Sequence, residues 1–165
     1  GYQRFSEAAS EAGVDGVLIV DLTPEEAPDV TPALREAGLD PIFLAAPNTS
    51  LERLAAIGRE AAGYLYYVSL KGVTGSSQLN TDEVAARVDL LKAHTGIPVL
   101  VGFGIRDADT AATIARTADG VVIGSALIQA LVDRGGQSAV DAATAFLAPI
   151  RAAMDAGATP SGNAA

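Results

Sequence analysis

Five short apolar runs constrain this chain more than any other feature. They lie at residues 14–22 (VDGVLIVDL), 41–47 (PIFLAAP), 64–69 (YLYYVS), 97–106 (IPVLVGFGIR) and 120–126 (GVVIGSA). Each is rich in β-branched or aromatic residues, and each is followed by a loop and a segment with helical spacing. Strands this uniformly apolar are buried on both faces, as in a parallel sheet. Strand and helix alternate along the whole chain, which argues for βα units with helices packed outside the sheet. Two architectures satisfy that pattern, a doubly wound open sheet and a (β/α)8 barrel. A barrel takes about 250 residues, and 165 residues hold five units. Periodicity alone leaves the choice open.

The helix signals fit the same frame. Residues 2–12 close on Gly13. Thr23 and Pro24 suit the N-cap and first position of a helix running to Ala37-Gly38. Asn48-Thr49-Ser50 caps a helix through Glu60 that stops at Gly63. A fourth helix begins at Thr81 and ends near His94, before Gly96. Further helices are predicted at 107–116, 127–132 and 139–155. Residues 1–156 therefore form one domain. The small, polar residues 157–165 read as a disordered tail.

Composition removes several function classes. A net charge of −9 and a pI near 4.4 argue against nucleic acid or an anionic membrane as partner. There is no cysteine, hence no disulfide and no thiolate chemistry. No apolar run approaches the ~18–20 residues that span a bilayer, and no signal peptide is visible. The chain opens on Gly1 inside a helical pattern, so a truncated start is expected.

In parallel α/β folds, function sits at the C-terminal ends of the strands. Those ends carry Asp21, Ala46-Pro47-Asn48, Ser69, Gly102-Phe103-Gly104 and Gly124-Ser125. Asp21 is the only carboxylate among them. The lone histidine, His94, reads as a helix-end residue favoured by the dipole. Glycines are common in βα turns. Their joint placement after the last two strands, however, matches the usual barrel phosphate site. Main-chain N–H groups there, with the start of a helix at Ser125, suit a dianion. Neither a GxGxxG fingerprint nor a Walker motif is present. The Gly-rich loop 71–77 (KGVTGSS) reads as a lid that excludes water, or as a solvated connection. Tyr64 and Tyr66 share one strand face and Tyr67 takes the other. One face can meet a ligand, and core packing is the alternative. No metal site is expected.

With these residues in view, the chain resembles the tryptophan synthase alpha chain family. The resemblance rests on GYQRF, AGVDGVLIVDLTPEE, FLAAPNTS, YLYYVSLKGVTGSS, PVLVGFGI and DGVVIGSALI, in family order. It implies a partial (β/α)8 barrel of the ribulose-phosphate-binding type, holding strands four to eight. It implies retro-aldol cleavage of indole-3-glycerol phosphate to indole and glyceraldehyde 3-phosphate. By resemblance, Gly102, Phe103, Gly104, Gly124 and Ser125 hold the substrate phosphate, and Tyr66 lines the indole pocket. Thr74 and Gly75 belong to the lid, and Asp21 communicates with a beta chain. That partner is expected in an alpha2beta2 assembly and carries the pyridoxal phosphate, so no cofactor is expected here. A cytoplasmic location follows from the family. The family's catalytic glutamate and aspartate precede the matched segment, which leaves this chain with no catalytic residue and an expectation of inactivity alone. Another sugar-phosphate barrel enzyme, or a non-catalytic phosphate-binding remnant, remains as an alternative.

Overall fold

The computed structural model describes residues 1–69, 81–102, 104–133 and 135–157. Its elements follow in order: α1 (Tyr2–Glu11), β1 (Gly16–Leu18), a short 3-10 helix (Ala27–Asp29), α2 (Thr31–Glu36), β2 (Asp40–Ala45), α3 (Leu51–Glu60), β3 (Leu65–Val68), α4 (Thr81–Thr95), β4 (Val99–Gly102), α5 (Ala108–Ile114), β5 (Gly120–Val122), α6 (Ser125–Asp133) and α7 (Ala139–Gly157). The five strands form one sheet in the order β1-β2-β3-β4-β5, and every pairing is parallel.

That order resolves what periodicity left open. A doubly wound sheet reverses its strand order at a switch point and carries helices on both faces. Here each strand lies beside its predecessor without reversal, as in a barrel wall. The register divides the side chains accordingly. Phe43, Leu65 and Val99 form one row, and Ala45, Tyr67, Val101 and Val121 the next. This face packs on Leu54 and Ile57 of α3, Val88 and Leu91 of α4, and Ala111 and Ile114 of α5. Burying each such aliphatic side chain is worth about 1.5–3 kcal/mol, so the core lies between sheet and helices. The opposite face carries Leu44, Tyr66, Val68, Leu100 and Val122, all only half-buried. The inner side of the wall is partly solvated.

Local chemistry explains most element ends. Ser50 caps α3 by accepting the Arg53 N–H, and Asp107 caps α5 by accepting that of Thr110. The predicted stop residues Gly13, Gly38, Gly63 and Gly96 all have positive φ, from 69° to 82°. At the entry to β4, Asp119 accepts the Val99 N–H at 2.8 Å and the Lys92 ammonium at 2.9 Å.

Three expectations need correction. The first strand is not 14–22: only Gly16–Leu18 pairs with β2, and the chain turns at Leu22, whose N–H donates to the Ile19 carbonyl. The helix expected from Thr23 does not form as one piece. Thr23 caps only a turn, accepting the Glu26 N–H, and regular helix starts at Thr31. The cause is Pro28 and Pro32. Inside one continuous helix each would lack the N–H and clash with the carbonyl four residues back; with the helix restarted at Thr31, Pro32 falls in the first turn of α2, where it is acceptable. Finally, Gly157 is the last residue of α7 rather than the first of a tail, and residues 158–165 lie outside the described residues.

Candidate functional site

The C-terminal ends of β3, β4 and β5 come together as neighbours. Val68 pairs with Gly102, and Gly102 with Val122. Gly104 and Gly124 each stand two residues beyond a paired position, at the same rim. Tyr66 points along the inner face toward Gly102. A Cβ built on Gly102 would overlap the Tyr66 hydroxyl and lie 2.5 Å from its Cζ. Only glycine lets the phenol ring lie against β4. Burial, and then the neighbouring Tyr64, pushes the Tyr66 phenol above the ordinary tyrosine value. It therefore stays a neutral hydroxyl, able to donate a hydrogen bond, through and beyond neutral pH.

Gly104 has a φ of 86°, the left-handed region that side chains rarely adopt. Gly104, Gly124 and Ser125 are exposed. A Cβ at Gly124 would meet nothing within 4 Å, so open space lies in front of that turn. Ser125 begins α6, whose first intrahelical bond runs from the Ile128 N–H to the Gly124 carbonyl at 3.2 Å. The N–H groups ahead of that bond are the unpaired donors of a helix start. Together with the positive end of the dipole they can accept an anion.

Ser69 was an unassigned strand end in the sequence. Its N–H and its Oγ both donate to the Gly102 carbonyl, at 3.1 and 2.9 Å. It extends the β3–β4 ladder one step past β3 and holds the end of β4 at Gly102. A hydroxyl residue directly after an apolar strand was the available signal. Arg87 was also missed. Its guanidinium reaches from α4 to the Thr49 carbonyl, tying α4 to the loop after β2. Its Nε is buried without a partner among the described residues. Tyr67, on the helix-facing side, belongs to the core, and burial raises its pKa despite the nearby Arg87 cation.

Asp21 stands apart from this group. It is exposed in the turn after β1, two strands away from β3. It lines a separate cleft with Tyr2, Glu26 and Asp29. His94 is exposed near the end of α4, with Nδ1 2.8 Å from the Leu90 carbonyl. Phe103, Thr74 and Gly75, and with them the loop 71–77, lie outside the described residues. Among the described residues no cluster of His, Asp or Glu could hold a metal ion. No described helix is long and apolar enough to cross a membrane.

A family model described as "Tryptophan synthase alpha chain" matches residues 1–155. The chain belongs to the tryptophan synthase alpha chain family. Relatives named tryptophan synthase alpha chain include that of Cupriavidus metallidurans, 54% identical over 156 residues, which cover 94% of this chain and 59% of the relative. The Burkholderia pseudomallei relative is 49% identical over 160 residues, 97% of this chain and 59% of its own. The crystal structure of tryptophan synthase subunit alpha from Legionella pneumophila superposes with a TM-score of 0.84 at 40% identity, covering 94% of this chain and 58% of that one. A tryptophan synthase structure from M. tuberculosis gives 0.79 at 34% identity, covering 93% and 56%. The fold is therefore part of a (β/α)8 barrel, and the chain spans 59% of the length of the curated relatives named here. Family membership answers the alternative of an unrelated sugar-phosphate barrel enzyme.

Proposed function

We propose that this chain carries the phosphate grip and part of the indole pocket of an indole-3-glycerol phosphate lyase, and that it does not turn over substrate alone. The observation that carries this reading is the convergence of Tyr66, Gly102, Gly104, Gly124 and Ser125 on one rim. Main-chain donors at Gly104, Gly124 and the start of α6 bind the phosphate. The protonated Tyr66 phenol and the apolar inner face hold the indole. This division supports binding and orientation, which lower the barrier only when acid–base groups are also present.

Retro-aldol cleavage requires an acid at the indole carbon and a base for the indole nitrogen and the glycerol hydroxyl. Asp21, the one carboxylate among the strand-end residues read from the sequence, lies in the turn after β1, at the opposite edge of the sheet from β5. In this reading the acid and the base come from βα units preceding the matched segment. Asp21 and its exposed neighbour Val20 then face a pyridoxal-phosphate-bearing beta chain; the roles expected of Phe103, Thr74 and Gly75 lie outside the described residues. This chain needs no cofactor of its own in the cytoplasmic alpha2beta2 assembly.

Gly124→Asp provides the test. The position has room for a side chain, so folding is expected to be unchanged. A carboxylate in front of the α6 N-terminus repels a dianion. Calorimetric titration with glycerol 3-phosphate should show binding to the wild-type chain and at least tenfold weaker binding to the variant. Equal binding to both would exclude this rim as the phosphate site.

A further inference from the structure

We propose that Leu100, seated on Gly120, forms the floor of the aromatic pocket and sets the size of ring that the pocket takes. The proposal deepens the functional reading above and rests on it.

The strand register places two rows on the inner face of the sheet. The row nearer the rim holds Val68, Gly102 and Val122. The row beneath it holds Leu44, Tyr66, Leu100 and Gly120. Leu100 stands directly across from Tyr66 and takes the seat that the phenol would otherwise cover. The ring rises instead to Gly102 in the row above, where its hydroxyl occupies the place of a Cβ.

Leu100 leans the other way, onto Gly120. A Cβ built on Gly120 would stand 3.1 Å from the Leu100 Cγ, and 3.6 and 3.7 Å from its two Cδ atoms. The branch point, rather than one methyl, sits over the glycine, so a small rotation of the side-chain end relieves nothing. Gly120 is not among the glycines with positive φ. Its backbone therefore makes no demand for glycine, and room for Leu100 does.

Burial adds the second observation. On the helix-facing side of β4, Val99 and Val101 are fully buried. Leu100 lies in the same strand, flanked by β3 and β5, yet is only half-buried. It leaves apolar surface one row beneath the Tyr66–Gly102 contact, of the kind that lines a ligand pocket. The phosphate donors stand at the rim beyond the upper row. Leu100 therefore meets the ring end of a ligand and not its phosphate.

The experiment titrates the 165-residue chain with indole-3-propanol phosphate, which carries ring and phosphate, and with glycerol 3-phosphate, which lacks the ring. Gly120→Ala pushes Leu100 up into the pocket. It should weaken the ring-bearing ligand about tenfold, the effect of roughly one methylene in an apolar pocket, and leave glycerol 3-phosphate unchanged. Leu100→Ala lowers the floor without overpacking, and so decides the matter even where Gly120→Ala does not fold. It should shift preference about tenfold from the indolyl toward a naphthyl propyl phosphate. A purely structural role for Gly120 would weaken both ligands together or neither, and either result overturns the floor. An unchanged ring preference in Leu100→Ala overturns it as well. A wild-type chain that binds glycerol 3-phosphate as tightly as the ring-bearing ligand overturns the indole reading beneath the proposal instead.

Discussion

Gly102 and Tyr66 show how one absent side chain can position a functional one. A methyl at residue 102 displaces the phenol ring, because the hydroxyl and Cζ occupy its place. The ring can swing toward the open inner face, so Gly102→Ala is expected to cost only about 1 kcal/mol, the low end for overpacking. Its larger effect falls on ligand binding. Adding Tyr66→Val should return the stability, measured by urea denaturation, without returning the aromatic contact. If Gly102→Ala leaves both stability and binding unchanged, the ring does not lie where it is described. Asp107 makes a separate prediction. Chiefly the Thr110 N–H, with smaller help from the Asp109 N–H and Arg106, holds its carboxyl below the ordinary value. Asp107→Ala should cost about 1 kcal/mol at neutral pH. A carboxyl depressed in the folded state stabilises above its unfolded value, near 3.9, and loses that contribution as pH falls through the folded value. The gap between wild type and variant should be constant near neutrality and close below about pH 4. A gap independent of pH would remove the charged cap.

At the scale of elements, the sequence was legible wherever one signal dominated. Ser50 and Asp107 cap as their residue types require, and each of the five apolar runs contains a strand. Legibility failed where signals competed. The run 14–22 has strand composition throughout, yet its pairing stops at Leu18 because partner β2 is in register only from Asp40 to Ile42. Pro24 signals a helix, but Pro28 ends it and Pro32 restarts it in the first turn of α2. Ser69, Arg87 and Asp119 act through contacts distant in sequence, which no local pattern contains. Asp119 makes this testable. It ties α4 and the entry of β4 to the turn before β5 by accepting from Lys92 and Val99. Asp119→Ala leaves the Val99 N–H without its acceptor and should cost about 1–3 kcal/mol. Lys92→Met removes only a half-exposed ion pair and its bond to the Thr117 carbonyl, and should cost no more than about 1 kcal/mol. Equal losses in chemical denaturation would contradict this ranking.

At the scale of the whole molecule, the proposed function separates gripping from chemistry. The five strands supply a rim that suits an anion, an aromatic ring set against it and an apolar inner wall. The sequence pointed to Gly102, Gly104, Gly124 and Ser125 because glycine turns after consecutive strands are a strong local signal. It could not show that Tyr66 leans on Gly102, since that contact depends on the β3–β4 register. The inner wall is half-buried, and under the proposed function the described residues of this rim bind and orient while the proton donor and acceptor come from elsewhere. The most direct measurement is indole release from indole-3-glycerol phosphate by the 165-residue chain, alone and together with the three preceding βα units of a relative. The account predicts no release above background from the chain alone, and release from the pair that Gly124→Asp abolishes. Turnover by the chain alone at the rate of an intact alpha subunit would contradict it.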